Sequence, residues 1–116
     1  MTQYTWSDIL SLVPPPAPSK IARLLFFLAG GDSINRFEAA KELHEHTLNS
    51  TISDLSNYWQ IRITRKREVV CNYKGDPVRC ARYSIEFTDI NAHRCYMTLI
   101  RLGFTDQGET YSLFDD

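Results

Sequence analysis

A chain of 116 residues, 43% apolar and 23% charged, has the composition of one globular domain, neither disordered nor membranous. Its longest apolar run, LLFFLAGG, is broken by glycines well short of spanning length, and Asp8 stands where a signal peptide needs basic residues. A cytoplasmic protein without membrane contact is therefore expected. The net charge of −1 conceals a pattern, because Gln60 to Glu86 carries seven basic and three acidic residues while the segments on both sides are net acidic.

Residues 1–13 place Trp6, Ile9, Leu10 and Val13 on an amphipathic turn or two, with Thr5 or Ser7 as N-cap. The run Pro14 to Pro18 then stops any helix and favours extended polyproline II. Residues 1–18 thus read as an N-terminal arm with a Pro-rich tether. Its Trp and Leu side chains need cover, either from the same domain or from a second copy. A helix from Lys20 to Ala29 comes next, apolar nearly all round and so central to a core, and Gly30-Gly31 ends it. Ser33 or Asn35 caps the second core helix, with Glu38 at capping-box spacing from Asn35. That helix runs to about Leu43 and buries Phe37, Ala40 and Leu43.

The link His44-Glu45-His46 is short, as a helix-turn-helix demands, and His46 or Thr47 caps the third core helix. From Thr47 to Trp59, the residues Leu48, Ile52, Leu55 and Trp59 fall within about 60° of one another on a 3.6-residue helix. Ser50, Ser53 and Asn57 lie opposite, with Asp54 nearby, so one face is made for burial and the other is small enough to enter a groove. Ile61 to Thr64 and Val78 to Ile85 alternate as strands, and Tyr73 to Pro77 has turn chemistry. This is a hairpin wing with a basic tip. Thr88 caps a last helix through Leu102, with Ala92, Cys95, Leu99 and Leu102 on one stripe and Gly103 as its stop. Tyr111, Leu113, Phe114 and Asp115-Asp116 make a short acidic end, a further strand or a frayed tail.

The fold class expected is mainly α with a small β-hairpin wing. It is a winged helix-turn-helix of three core helices plus wing over 19–86, with an extra C-terminal helix and acidic tail over 87–116. At the third core helix and the wing the sequence resembles small helix-turn-helix proteins of phage and prophage genomes. The matching residues are Ile52-Ser-Asp-Leu55, Ile61 to Thr64, and Ala81-Arg-Tyr83 followed by Ile85. The resemblance covers about 60% of the chain and implies a winged helix and double-stranded DNA binding.

On that reading Asn49, Ser50, Ser53 and Asn57 contact base edges, Asn being suited to adenine in the major groove. Thr47, Arg62, Arg65, Lys66, Arg67, Lys74 and Arg79 contact phosphates, while Arg82 is placed to pair with Glu68 or Glu86. The function expected is transcriptional or phage life-cycle regulation, with dimerisation through the arm or the last helix. The acidic ends and the absence of Lys or Arg from Thr47 to Trp59 favour the alternative, a winged-helix module for protein partners: an anti-repressor, a toxin–antitoxin component or a replication adaptor. No C-x-x-C pair accompanies His44, His46 and His93-x-Cys95, so no metal is expected. Without a Gly-rich phosphate loop, a G-x-S-x-G or a Cys–His pair at a recognisable spacing, neither catalysis nor a cofactor is expected. Cys71, Cys80 and Cys95 are expected as reduced thiols. With Lys74 to Pro77 as hairpin tip, Cys71 and Cys80 face each other closely enough to bridge under oxidation.

Overall fold

Helix α2 (Lys20–Ala29) is the element around which the chain closes, and the computed structural model describes residues 3–106. Ser19 Oγ accepts the Ala22 N–H to start it, and Gly31 at φ 101° supplies the left-handed residue that stops it. Ala22, Leu24, Leu25, Leu28 and Ala29 are buried against α1 (Trp6–Leu10), α4 (Leu48–Asn57), β4 (Pro77–Ile85) and α5 (Asp89–Arg101). The remaining elements are β1 (Leu12–Val13), β2 (Ile34–Asn35), α3 (Arg36–Glu42), β3 (Ile63–Cys71) and β5 (Thr105–Asp106).

Among the described residues five helices accompany two antiparallel sheets, one ordered β1-β5 and one β2-β4-β3, with about 43% helix and 23% strand. The expected class, a mainly α winged helix-turn-helix with a small wing, is corrected to a small α/β domain. Two physical causes lie behind the difference. The hairpin strands are nine residues each, because the pairing continues from Ile63↔Ile85 out to Cys71↔Pro77 along a stretch whose charged residues mask any apolar alternation. The strands β1, β2 and β5 are two residues long, made by distant pairing with no periodicity of their own to read.

The arm packs back on its own domain. Thr5 and Asp8 form a capping box on α1, Ile9 and Leu12 are buried, and β1 pairs with β5. The Tyr4 ring stacks on Tyr96 with centroids 3.7 Å apart, and Trp6 meets the Phe87 ring edge-on at 4.7 Å. Helix α3 starts at Asn35 with the capping box to Glu38, but Phe37 turns outward beneath the Arg36 guanidinium and Ala39 takes the buried position. Among the described residues no helix is long and apolar enough to cross a membrane. The acidic end from Tyr111 to Asp116 lies outside the described residues.

The hairpin tip is also corrected. Asn72 Oδ1 accepts the N–H groups of Lys74 and Asp76, and Gly75 sits at φ 86°, so the turn spans Asn72 to Asp76. Cys80 therefore opposes Glu68, not Cys71, and the two cysteines occupy opposite faces about 10 Å apart along the strands. Burial foremost, then the neighbouring Glu68 carboxylate, pushes the Cys80 thiol up; burial alone pushes Cys95 up to about 12. Mild oxidation of the monomer is expected to yield no Cys71–Cys80 bridge, which peptide mapping by mass spectrometry under non-reducing conditions checks.

Candidate nucleic-acid interface

Helix α4 buries Leu48, Thr51, Ile52 and Leu55 and leaves Asn49, Ser50, Ser53, Asp54 and Asn57 exposed, so its small polar face is open to solvent. It begins in an unforeseen way. Thr47 occupies the N-cap position, yet its side chain caps no helical N–H. The buried Glu45 carboxylate ties the start of the helix together by its side chains, accepting the Thr47 N–H and Oγ1 at 2.8 Å each and Thr51 Oγ1 at 2.9 Å. Burial on its own would raise this carboxyl's pKa. The three hydrogen bonds, with the Lys20 ammonium 3.9 Å away, outweigh that and hold it below its ordinary value. His44 and Gln60 bracket the helix with left-handed backbone at φ 53° and 61°.

The hairpin runs beside α4, and its register sorts the basic residues by face. Ile63, Arg65, Arg67, Val69 and Cys71 share one face with Ile85, Tyr83, Ala81, Arg79 and Pro77. At the root of that face Ile85 and Tyr83 are buried in the core; further out Arg65, Arg67 and Arg79 stand exposed. The result is one groove of two adjoining cavities. The first, about 450 Å³, lies between Asn49, Ile52, Ser53, Ser56 and Asn57 of α4 and Ile63, Arg65 and Tyr83 of the sheet. The second, about 580 Å³, is lined by Arg36, Arg65, Arg67 and Arg79 with Asn49, Tyr83 and the strand residues between them. Among the described residues Arg65, Arg67 and Arg79 make no salt bridge.

The opposite face of the hairpin is self-satisfied. Arg82 donates to both Glu38 oxygens at 2.9 and 3.1 Å, to Glu68 Oε1 at 2.9 Å and to Ser33 Oγ at 3.0 Å. Glu68 also accepts the Asn35 side-chain amide at 2.7 Å. The hydrogen bonds from Arg82 hold both carboxyls below their usual range, and those two carboxylates raise Arg82 in turn. Arg82 is thus a structural clasp between α3 and the three-stranded sheet, and Glu38, not Glu86, completes it. The groove keeps its positive charge, since the one carboxylate among its lining residues is Glu68, already turned to Arg82 and Asn35.

No family model, curated protein or solved structure matches the chain.

Of the residues singled out from sequence, the groove brings together Asn49, Ser53, Asn57, Arg65, Arg67 and Arg79. Ser50 is exposed on the flank of α4 beside Asp54, outside the groove lining. Lys66 lies on the Arg82 face, and Lys74 sits in the turn with its ammonium 5.7 Å from the Tyr73 ring centroid. Arg62 is held at the hairpin root, where the buried Asn91 amide accepts its N–H at 2.8 Å and donates to its carbonyl at 2.9 Å. Thr47 gives both its donors to Glu45. Three groove residues were missed. Ser56 succeeds Asn49 and Ser53 at helical spacing and was readable, as was Tyr83 on the strand opposite Arg65, whereas Arg36 arrives through the β2–β4 pairing, which no local pattern signals. Among the described residues no three His, Cys, Asp or Glu side chains converge as a metal site.

Proposed function

We propose that the protein binds double-stranded DNA, with the exposed face of α4 in the major groove and the inner hairpin face on the adjacent backbone. The observation that carries this reading is the shared wall: unpaired Arg65, Arg67 and Arg79, with Arg36, beside the small polar face of α4. A helix about 10–12 Å across fits a groove about 12 Å wide, and Asn and Ser side chains let it approach the base edges closely. Guanidiniums free of carboxylates exchange water for phosphate without first breaking an ion pair. The function is binding; the groove is asked for no chemistry. The likeness of Ile52 to Leu55 and Ala81 to Tyr83 to phage DNA-binding proteins supports a place in transcriptional or life-cycle regulation.

The test is a salt titration of binding to duplex DNA. Four phosphate-contacting arginines give a slope of about −3.6 in log K against log salt, at about 0.9 per contact. A flat response, or no binding at low salt, overturns the reading.

A second reading has its own observation. Ile90, Met97 and Ile100 stand 37–48% exposed along one face of α5, an apolar stripe suited to a protein partner or a second copy. Since Ile9 and Leu12 of the arm are spent in the core of their own domain, α5 is the better candidate for dimer contact. Sedimentation of the wild type against Met97→Glu decides it: a dimer dissociated by the charge supports contact through α5, and a monomer in both refutes it.

A further inference from the structure

The two cavities meet at three residues, Asn49, Arg65 and Tyr83, which line both. Tyr83 is 6% exposed, held between Ile34 of β2 and Arg65 of β3 by the strand register, so its hydroxyl must find its partner at the groove floor. That partner is Asn49, whose Oδ1 accepts the Tyr83 hydroxyl at 2.8 Å. That hydroxyl sets which way the carboxamide faces. Turned over, the amide would donate to the phenol oxygen and the phenolic hydrogen would lose this acceptor. Asn49 is the second residue of α4 and exposed, so its Nδ2 is left to the groove.

Resting on the DNA-binding reading, we infer that Tyr83 is a positioning residue which turns the Asn49 amide so that Nδ2 faces the groove, and that this point of the groove selects guanine. The major-groove edge of guanine offers two neighbouring acceptors, N7 and O6, and no donor. Asn49 Nδ2 and the adjoining Arg65 guanidinium offer donors to both. Adenine pairs an acceptor with a donor at N6, and an asparagine that reads both must present Oδ1 beside Nδ2, whereas Tyr83 draws Oδ1 toward the groove floor here. The adenine preference expected from the residue type is thereby reversed by a neighbour 34 positions away in sequence.

The experiment is selection from a randomised duplex library with the full chain. The base position read by Asn49 is identified as the one whose preference vanishes in Asn49→Ala. The wild type is expected to favour guanine over adenine there by about tenfold. Tyr83→Phe frees the amide to turn and is expected to abolish that preference, with selection at other positions and the melting temperature little changed. Asn49→Asp, an acceptor only, is expected to move the preference to cytosine. Adenine selected by the wild type, or guanine preference intact in a folded Tyr83→Phe, overturns the inference while leaving DNA binding in place. Failure of the wild type to bind any duplex removes the underlying reading and this inference with it.

Discussion

Replacing Arg65, Arg67 and Arg79 together by alanine is expected to lower affinity for every duplex sequence by a hundred- to a thousandfold, on the order of 1–1.5 kcal/mol per lost contact. The three side chains share one hairpin face and make no salt bridge among the described residues, so their removal takes charge from the groove without breaking a structural clasp. The fold should persist, because exposed substitutions of this kind usually change stability by no more than about 0.5 kcal/mol. The slope of log K against log salt should fall by close to three, each contact contributing about 0.9. Lys66→Ala supplies the contrast, since Lys66 carries the same charge on the opposite face, across from Arg82. Its loss should weaken binding less than threefold. An equal effect per charge from Lys66 would show that total charge, and not the groove, attracts the nucleic acid. Fluorescence anisotropy with a labelled duplex at several salt concentrations measures both quantities, and circular dichroism verifies the fold.

What sequence reasoning reached was set by how local each signal is. Helix α2 is delimited by Ser19 and Gly30-Gly31, α3 by the Asn35–Glu38 box and α5 by Thr88 and Gly103, all stops and starts written within four residues of where they act. The exposed face of α4 was legible from its 3.6-residue period. Where the reasoning failed, the determinant lay far off in the chain. Asn35 and Ile34 become a strand because β4 offers an edge, and this pairing brings Arg36 to the groove and closes Arg82 on Glu38. The hairpin reads as a small wing because the charged run Arg65 to Glu68 interrupts its alternation, which resumes only where half-buried Val70 lies between exposed Val69 and Cys71. Its tip was misplaced because Pro77 looks like a turn residue, while the Asn72 side chain, by taking two backbone N–H groups, closes the turn earlier. The same distinction divides the site. Asn49, Ser53 and Asn57 are set by helical period, but what Asn49 can recognise depends on Tyr83, and that contact appears only in the folded chain.

Glu45 offers the largest expected effect on stability. It stands between two histidines in what reads as a polar link, yet it is 2% exposed and its carboxylate organises the start of α4. Glu45→Ala would take the acceptor from the Thr47 N–H and hydroxyl, leave the Thr51 hydroxyl only the Thr47 carbonyl at 3.3 Å, and remove the negative charge at the positive end of the helix. A loss of about 2 kcal/mol is expected, from three hydrogen bonds to the carboxylate at about 0.5–1.5 kcal/mol each, offset in part by water at Thr47 and by the Thr47 carbonyl at Thr51. That is a large share of the roughly 5–15 kcal/mol typical of a domain. Glu45→Gln keeps the shape and one acceptor and should cost about half as much. The pH dependence has a definite sign. Because the folded carboxyl titrates below its ordinary value of 4.5, its contribution is complete above that value and is lost as pH falls through the lowered folded one. Glu38 and Glu68 act in the same sense through Arg82. Urea unfolding of the wild type should therefore shift to lower denaturant between about pH 5 and pH 3, and by less in Glu45→Gln, which has one fewer group to protonate. Equal midpoints for wild type and Glu45→Ala at neutral pH would show that α4 is anchored by its apolar face alone. Since α4 forms one wall of the groove, the alanine variant should also lose duplex affinity at temperatures where it remains folded, and the glutamine variant should retain most of it.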